Sequence, residues 1–226
     1  MPGEIGLVGG EEFRVGCEEM DREIMRASGQ DPARVVVIPT AQLTGPAKAA
    51  NDGVTHFGAL GGIAKPLMVL NRAHAEDPQY LQGIAEAGVI YFTGGSPDHL
   101  LATLRDSPLM AAVLQALEAG AVVAGSSAGA MVLGAMMRRP SSGDWVEGLG
   151  VVPGVAVLPH HERRDPEATW NELKDSAPSG LTLLGIDARA GCLGRPGNWR
   201  VVGGNVTVYR DGWTVYSSGQ RLPGDI

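Results

Sequence analysis

Cysteine is scarce in this chain: two in 226 residues, Cys17 and Cys192. They lie far apart with no His or Cys at ligand spacing, so no structural metal is expected and both are read as buried small hydrophobes. No apolar run reaches the about 18 residues of a membrane span. No basic excess exists either; the net charge is −7, without runs of like charge, and this argues against non-specific nucleic-acid binding. The start, Met1-Pro2-Gly3-Glu4-Ile5, lacks the basic and apolar regions of a signal peptide, so a cytoplasmic location is expected. Repeats and low-complexity segments are absent. Gly6, Gly9 and Gly10 do not make G-x-G-x-x-G and no G-K-[ST] occurs, so nucleotide binding is discounted and no cofactor is expected. Asn205-Val206-Thr207 fits a glycosylation sequon that the absence of a secretion signal leaves idle. Aromatics are 5% of the chain, and Trp145, Trp170, Trp199 and Trp213 are scattered, as packing residues would be.

Glycine, by contrast, is abundant, 33 in all, mostly at the ends of apolar runs. The length suits one domain, residues 1–226. Strands are expected at 5–8, 35–38, 66–70, 89–92, 122–123, 155–158 and 181–186. Helices are expected at 17–27, 46–60, from Asp77-Pro78 through Ala85, from Pro97 to Glu118 with a break at Ser107-Pro108, and at 165–173. Residues 143–150 read as a loop. After Gly191, short strands at 199–202, 206–209 and 213–216, separated by Gly203-Gly204 and Asp211-Gly212, read as a small antiparallel unit. Alternation of strand and helix predicts an α/β fold: a doubly wound, mostly parallel sheet flanked by helices, with C-terminal antiparallel hairpins. Ligands bind beyond the carboxyl ends of such strands.

The stretch Ala121–Leu133 runs from a β-branched strand through Gly125-Ser126-Ser127-Ala128-Gly129 into an apolar helix. It fits G-x-S-x-G, the nucleophile elbow, whose flanking glycines permit a sharp chain reversal. Ser127 is the candidate nucleophile; the plainer alternative is a serine helix cap. A serine nucleophile needs a base and a group that orients the base. Of five histidines, His160 and His161 directly follow strand 155–158, on the ligand edge; His160 is taken as base and His161 as second choice. His56, His74 and His99 fall on a helix, a loop and near a helix start. Asp187, following strand 181–186, is the candidate orienting acid, its plainer role being a turn or cap. Glu162 and Asp165 would have to fold back. Gly94-Gly95, at another strand end, offers a backbone N–H; Gly95 with Ala128 would complete an oxyanion hole. Gly94, Ser96, His161, Arg163 and Arg164 are candidate substrate contacts, although the charged run at 162–164 also suits a solvated loop.

Together, Tyr91-Phe92-Thr93-Gly94-Gly95, Gly125-Ser126-Ser127-Ala128-Gly129-Ala130, Pro159-His160-His161 and Gly185-Ile186-Asp187 resemble the dipeptidase E and cyanophycinase family of serine peptidases. The resemblance spans the chain from the first strand to the final hairpins. It implies a fold like that of class I glutamine amidotransferases, a serine nucleophile at Ser127, a histidine base at His160 and oxyanion donors at Gly95 and Ala128. The chain departs from the family pattern at three points. Ser96-Pro97 stands where an acid or amide usually follows the glycine pair, His161 where a phenylalanine follows the histidine, and Ala188 where the third triad member is usually a glutamate. Asp187 is its nearest substitute. The expected function is a serine peptidase of altered specificity acting on small peptides, as monomer or homodimer, without nucleic-acid or membrane partners. Two alternatives remain: an esterase, disfavoured because no histidine follows His161, and a catalytically idle binding protein of the same fold.

Overall fold

In the computed structural model, which describes residues 1–226, three sheets carry the chain. A seven-stranded sheet has β1 (Ile5–Val8), β2 (Arg34–Ile38), β3 (Ile63–Pro66), β4 (Val89–Phe92), β5 (Val122–Ser126), β10 (Gly191–Arg195) and β11 (Asn198–Val202). Their order is β11-β10-β1-β5-β4-β2-β3. The five strands from β1 to β3 run parallel; β10 and β11 add antiparallel to one side. A four-stranded sheet, β13-β12-β9-β8, is built from β8 (Val155–Leu158), β9 (Thr182–Ile186), β12 (Asn205–Tyr209) and β13 (Trp213–Ser217). β6 (Met136–Arg138) and β7 (Trp145–Glu147) form a separate hairpin.

The central strands are continuous apolar runs because helices cover both faces. Val35, Val36, Val37 and Ile38 are all buried, each worth roughly 1.5–3 kcal/mol of transfer free energy. The helices are α1 (Glu18–Ala27), α2 (Pro46–Ala59), α3 (Arg72–Glu76), α4 (Pro78–Ala85), α5 (Pro97–Leu104), α6 (Pro108–Glu118), α7 (Ala128–Leu133) and α8 (Pro166–Leu173), the last of which packs on the four-stranded sheet. Four of them begin with an acceptor followed by proline. Asp77, Ser96, Ser107 and Asp165 each accept a backbone N–H of the first turn, and such caps contribute about 1 kcal/mol each. No helix is long and apolar enough to cross a membrane.

Four expectations are corrected. The third strand lies at 63–66 rather than 66–70. As an edge strand it needs little burial, and Ile63 is 59% exposed; the apolar run after it leaves the sheet, and only Val69 of that run is buried. His74 lies in the short helix α3, not a loop. The expected loop at 143–150 contains β7, whose hairpin packs beside β8. The residues after Gly191 do not form one unit: β10, with two glycines and little β-branching, extends the main sheet, whereas β12 and β13 complete the second. The seat beside β1 is therefore taken by β10, and β8 is placed in the second sheet, not in the sheet that carries Ser127.

Candidate active site

Ser127 stands between β5 and α7 with φ +48° and ψ −107°, a backbone conformation L-residues rarely adopt. Strain of this kind survives where the surroundings fix it. A Cβ on Gly125 would lie 2.4 Å from the Gly129 carbonyl carbon, and one on Gly129 would lie 2.5 Å from the Phe92 carbonyl oxygen. The elbow thus closes only with glycine at both flanks. The Ser127 side chain makes no cap hydrogen bond; its Oγ lies 3.2 Å from His160 Nε2. That separation lies within the reach required of a nucleophile and its base.

The two residues come from different sheets and are brought together by the end of β1. Consecutive carbonyls there hold both backbones: Ser127 N–H donates to Val8 O at 2.9 Å and His160 N–H to Gly9 O at 2.8 Å. His160 itself adopts a left-handed conformation, φ +52°, and its ring lies against Gly10, where a Cβ would meet ring carbon Cε1 at 2.2 Å.

Asp187 does not orient this imidazole. His160 Nδ1 is buried without a hydrogen-bond partner. Asp187 turns the other way: Oδ2 accepts from Asn205 Nδ2 at 3.2 Å, and Oδ1 lies 4.0 Å from His161 Nδ1. The acid follows β9 and the base follows its neighbour β8, so the shorter side chain faces the second histidine. His161 is equally unsuited to be base or substrate contact. It is buried, with Nε2 2.8 Å from the Tyr209 hydroxyl. Burial, set partly against the Asp187 charge, holds its pKa below the ordinary histidine value. Glu162 does fold back, but onto the Ala188 N–H at 2.7 Å. Burial pushes its carboxyl up, while that amide, its own backbone, Arg163 and His160 pull it below the usual range. The imidazole is therefore oriented by its backbone and by the glycine under its ring. Asp187→Asn is accordingly expected to change kcat/KM less than about threefold, where loss of a true triad carboxylate costs about 10⁴-fold. A loss of 10³-fold or more in steady-state assays would show that Asp187 reaches His160.

The other histidines are distant structural residues. His56 pairs with buried Asp21 at 2.8 Å, His74 stacks on Tyr80, and His99 Nε2 contacts Leu70 O. Gly95 N–H donates to no group of the chain. Ala128 opens α7, so its N–H has no intrahelical acceptor. Both residues, with Ser127 and His160, line a cavity of about 490 Å³. Ser96 caps α5 and Gly94 N–H is taken by Glu12. Arg164 lines the cavity, whereas Arg163 is held by Glu162 and Glu11 outside its wall. Arg138 and Arg139 of the β6–β7 hairpin, not singled out from sequence, complete the wall.

This arrangement agrees with the similarities to known proteins. Residues 7–191 match the model of peptidase family S51. The chain belongs to peptidase family S51. Among relatives of this S51 peptidase, the cyanophycinase of Trichormus variabilis is 27% identical over 215 residues, covering 89% of this chain and 72% of the relative. The cyanophycinase of Synechococcus elongatus is 30% identical over 221 residues, covering 91% and 67%. A crystal structure of a peptidase from an acI-B1 Actinobacterium superposes with a TM-score of 0.82 at 26% identity, covering 99% of this chain and 97% of that one. Such membership makes the protein a serine-type peptidase, a hydrolase.

Proposed function

We propose that this S51 peptidase hydrolyses peptide bonds in small peptides with Ser127 as nucleophile, His160 as general base and acid, and the N–H groups of Gly95 and Ala128 as oxyanion hole. The observation that carries the assignment is the 3.2 Å approach of Ser127 Oγ to His160 Nε2 on a strained elbow. Ser127 Oγ attacks the scissile carbonyl carbon as its proton passes to Nε2. The carbonyl oxygen becomes an anion between the two amides. Collapse breaks the C–N bond, and Nε2 returns its proton to the leaving amine. Water then repeats the sequence on the acyl-serine, releasing the acid and restoring the hydroxyl.

The substrate class follows from the cavity. Its volume falls in the range of small-ligand sites, roughly 300–1,000 Å³. Three arginines, Arg138, Arg139 and Arg164, line it and no carboxylate does, whereas Glu11, Glu12 and Asp52 line a neighbouring pocket that shares Gly95, Ser127 and His160. Glu172 and Asp98 partner them from outside the wall, leaving one positive charge in excess. A peptide presenting a carboxylate near the scissile bond suits this wall. Digestion of a short-peptide library, read by mass spectrometry with Ser127→Ala as control, should give cleavage enriched in acidic or carboxylate-terminal fragments. Cleavage persisting in Ser127→Ala would overturn the assignment.

A further inference from the structure

Glu12 lies in the loop between β1 and α1, and its carboxylate joins two segments distant in sequence. Oε1 accepts the Gly94 N–H at 2.7 Å and Oε2 accepts the Ser126 hydroxyl at 2.8 Å. Gly94 immediately precedes Gly95, and the fully buried Ser126 immediately precedes Ser127 and Ala128. One carboxylate thus grips the chain just ahead of each proposed oxyanion donor. Its two oxygens are a fixed distance apart, so it ties Gly94, just past the end of β4, to Ser126, the last residue of β5, where the ladder between the strands has ended.

The loop is built to hold that grip. Glu11 and Phe13, on either side of Glu12, both have left-handed backbones, φ +58° and +64°. Non-glycine residues in that region signal an imposed geometry. The Phe13 ring supplies the anchor: its centroid lies 5.3 Å from that of Tyr91, 5.6 Å from His56 and 5.8 Å from Phe57. Removing the carboxylate would leave a partly buried amide and a buried hydroxyl unpaired, and both would move to find new partners.

We propose that Glu12 is a positioning residue for the oxyanion hole, acting through the Gly94 amide and the Ser126 hydroxyl rather than on the reacting atoms. This rests on Gly95 and Ala128 being the oxyanion donors. Misplacing reacting groups by about 1 Å costs up to about 10²-fold in rate, and losing a donor about 10²–10³-fold.

The test uses the full chain and diisopropyl fluorophosphate, a small uncharged reagent whose phosphoryl oxygen enters the oxyanion hole during reaction with a serine. Glu12→Ala should slow labelling of Ser127 about 10–100-fold at a temperature where it remains folded. Glu12→Gln should restore labelling to within about threefold, because the amide oxygen can accept from Gly94 while its NH₂ donates to the Ser126 oxygen. Ser126→Ala should fall between, and Glu12→Ala with Ser126→Ala should be no slower than Glu12→Ala alone. If Glu12→Ala does not fold, slowed labelling of Ser126→Ala with normal labelling of Glu12→Gln still carries the proposal. Glu12→Ala labelled as fast as wild type would overturn it, as would Glu12→Gln as slow as Glu12→Ala, which would mean that the charge itself acts. Wild type unlabelled at Ser127 would instead remove the nucleophile assignment beneath it.

Discussion

Ser127→Ala should lower kcat for peptide hydrolysis by about 10⁴–10⁶-fold. The substitution removes the only atom that can form the acyl bond, and what remains is the modest acceleration from binding and oxyanion donors. Stability should change by less than about 0.5 kcal/mol. The hydroxyl is not a helix cap, its one hydrogen bond is to His160, and alanine keeps the same strained backbone. Combining it with His160→Ala should add almost nothing, because nucleophile and base act as a unit. A double variant slower than Ser127→Ala by a further 10³-fold would show that the two act independently, and would argue against the pairing. Steady-state kinetics, with thermal unfolding of the same samples, reads both quantities.

Gly10→Ala should lower kcat by about 10²–10⁴-fold, the range that general acid–base catalysis supplies, although Gly10 touches no substrate. A methyl there would sit 2.2 Å from Cε1 and 2.8 Å from Nδ1 of His160. The backbone of His160 is pinned by Gly9 O, so the ring must swing and leave Ser127. Gly10 also has φ +127°, and alanine there should cost about 1–3 kcal/mol of stability. Gly29→Ala separates the two effects. Gly29 has φ +67° with no atom near its would-be Cβ, so that variant should lose stability without losing kcat. Full activity in Gly10→Ala would mean that the imidazole has other productive positions.

Much of the main sheet was legible because its strands, buried on both faces, are unbroken apolar runs: 5–8, 35–38 and 89–92 appear where expected. The edge strand β3 was misplaced because edge pairing leaves no such mark. The second sheet was hidden because strand partners are chosen by space rather than sequence order; β8 looked like another member of the first sheet. The Ser127 elbow was readable from its glycines, a local constraint. The pairing with His160 followed from both lying after strands. Asp187 also follows a strand, yet its side chain faces His161, an orientation set by register between β8 and β9 that no local pattern encodes. Glu12 could have been noticed as an acid just past the glycines that end β1, but its partners lie 82 and 114 residues away. Arg138 and Arg139 carried no signal because their hairpin was read in part as loop.

The central claim is that Ser127 is activated by His160 without a carboxylate behind the imidazole. Reaction of the folded protein with diisopropyl fluorophosphate, followed by peptide mapping, tests it most directly across wild type, His160→Ala and Asp187→Asn. The account predicts one adduct, on Ser127, formed about 10²-fold or more slowly in His160→Ala and at the wild-type rate in Asp187→Asn. An adduct on another serine, or equal rates in wild type and His160→Ala, would contradict it.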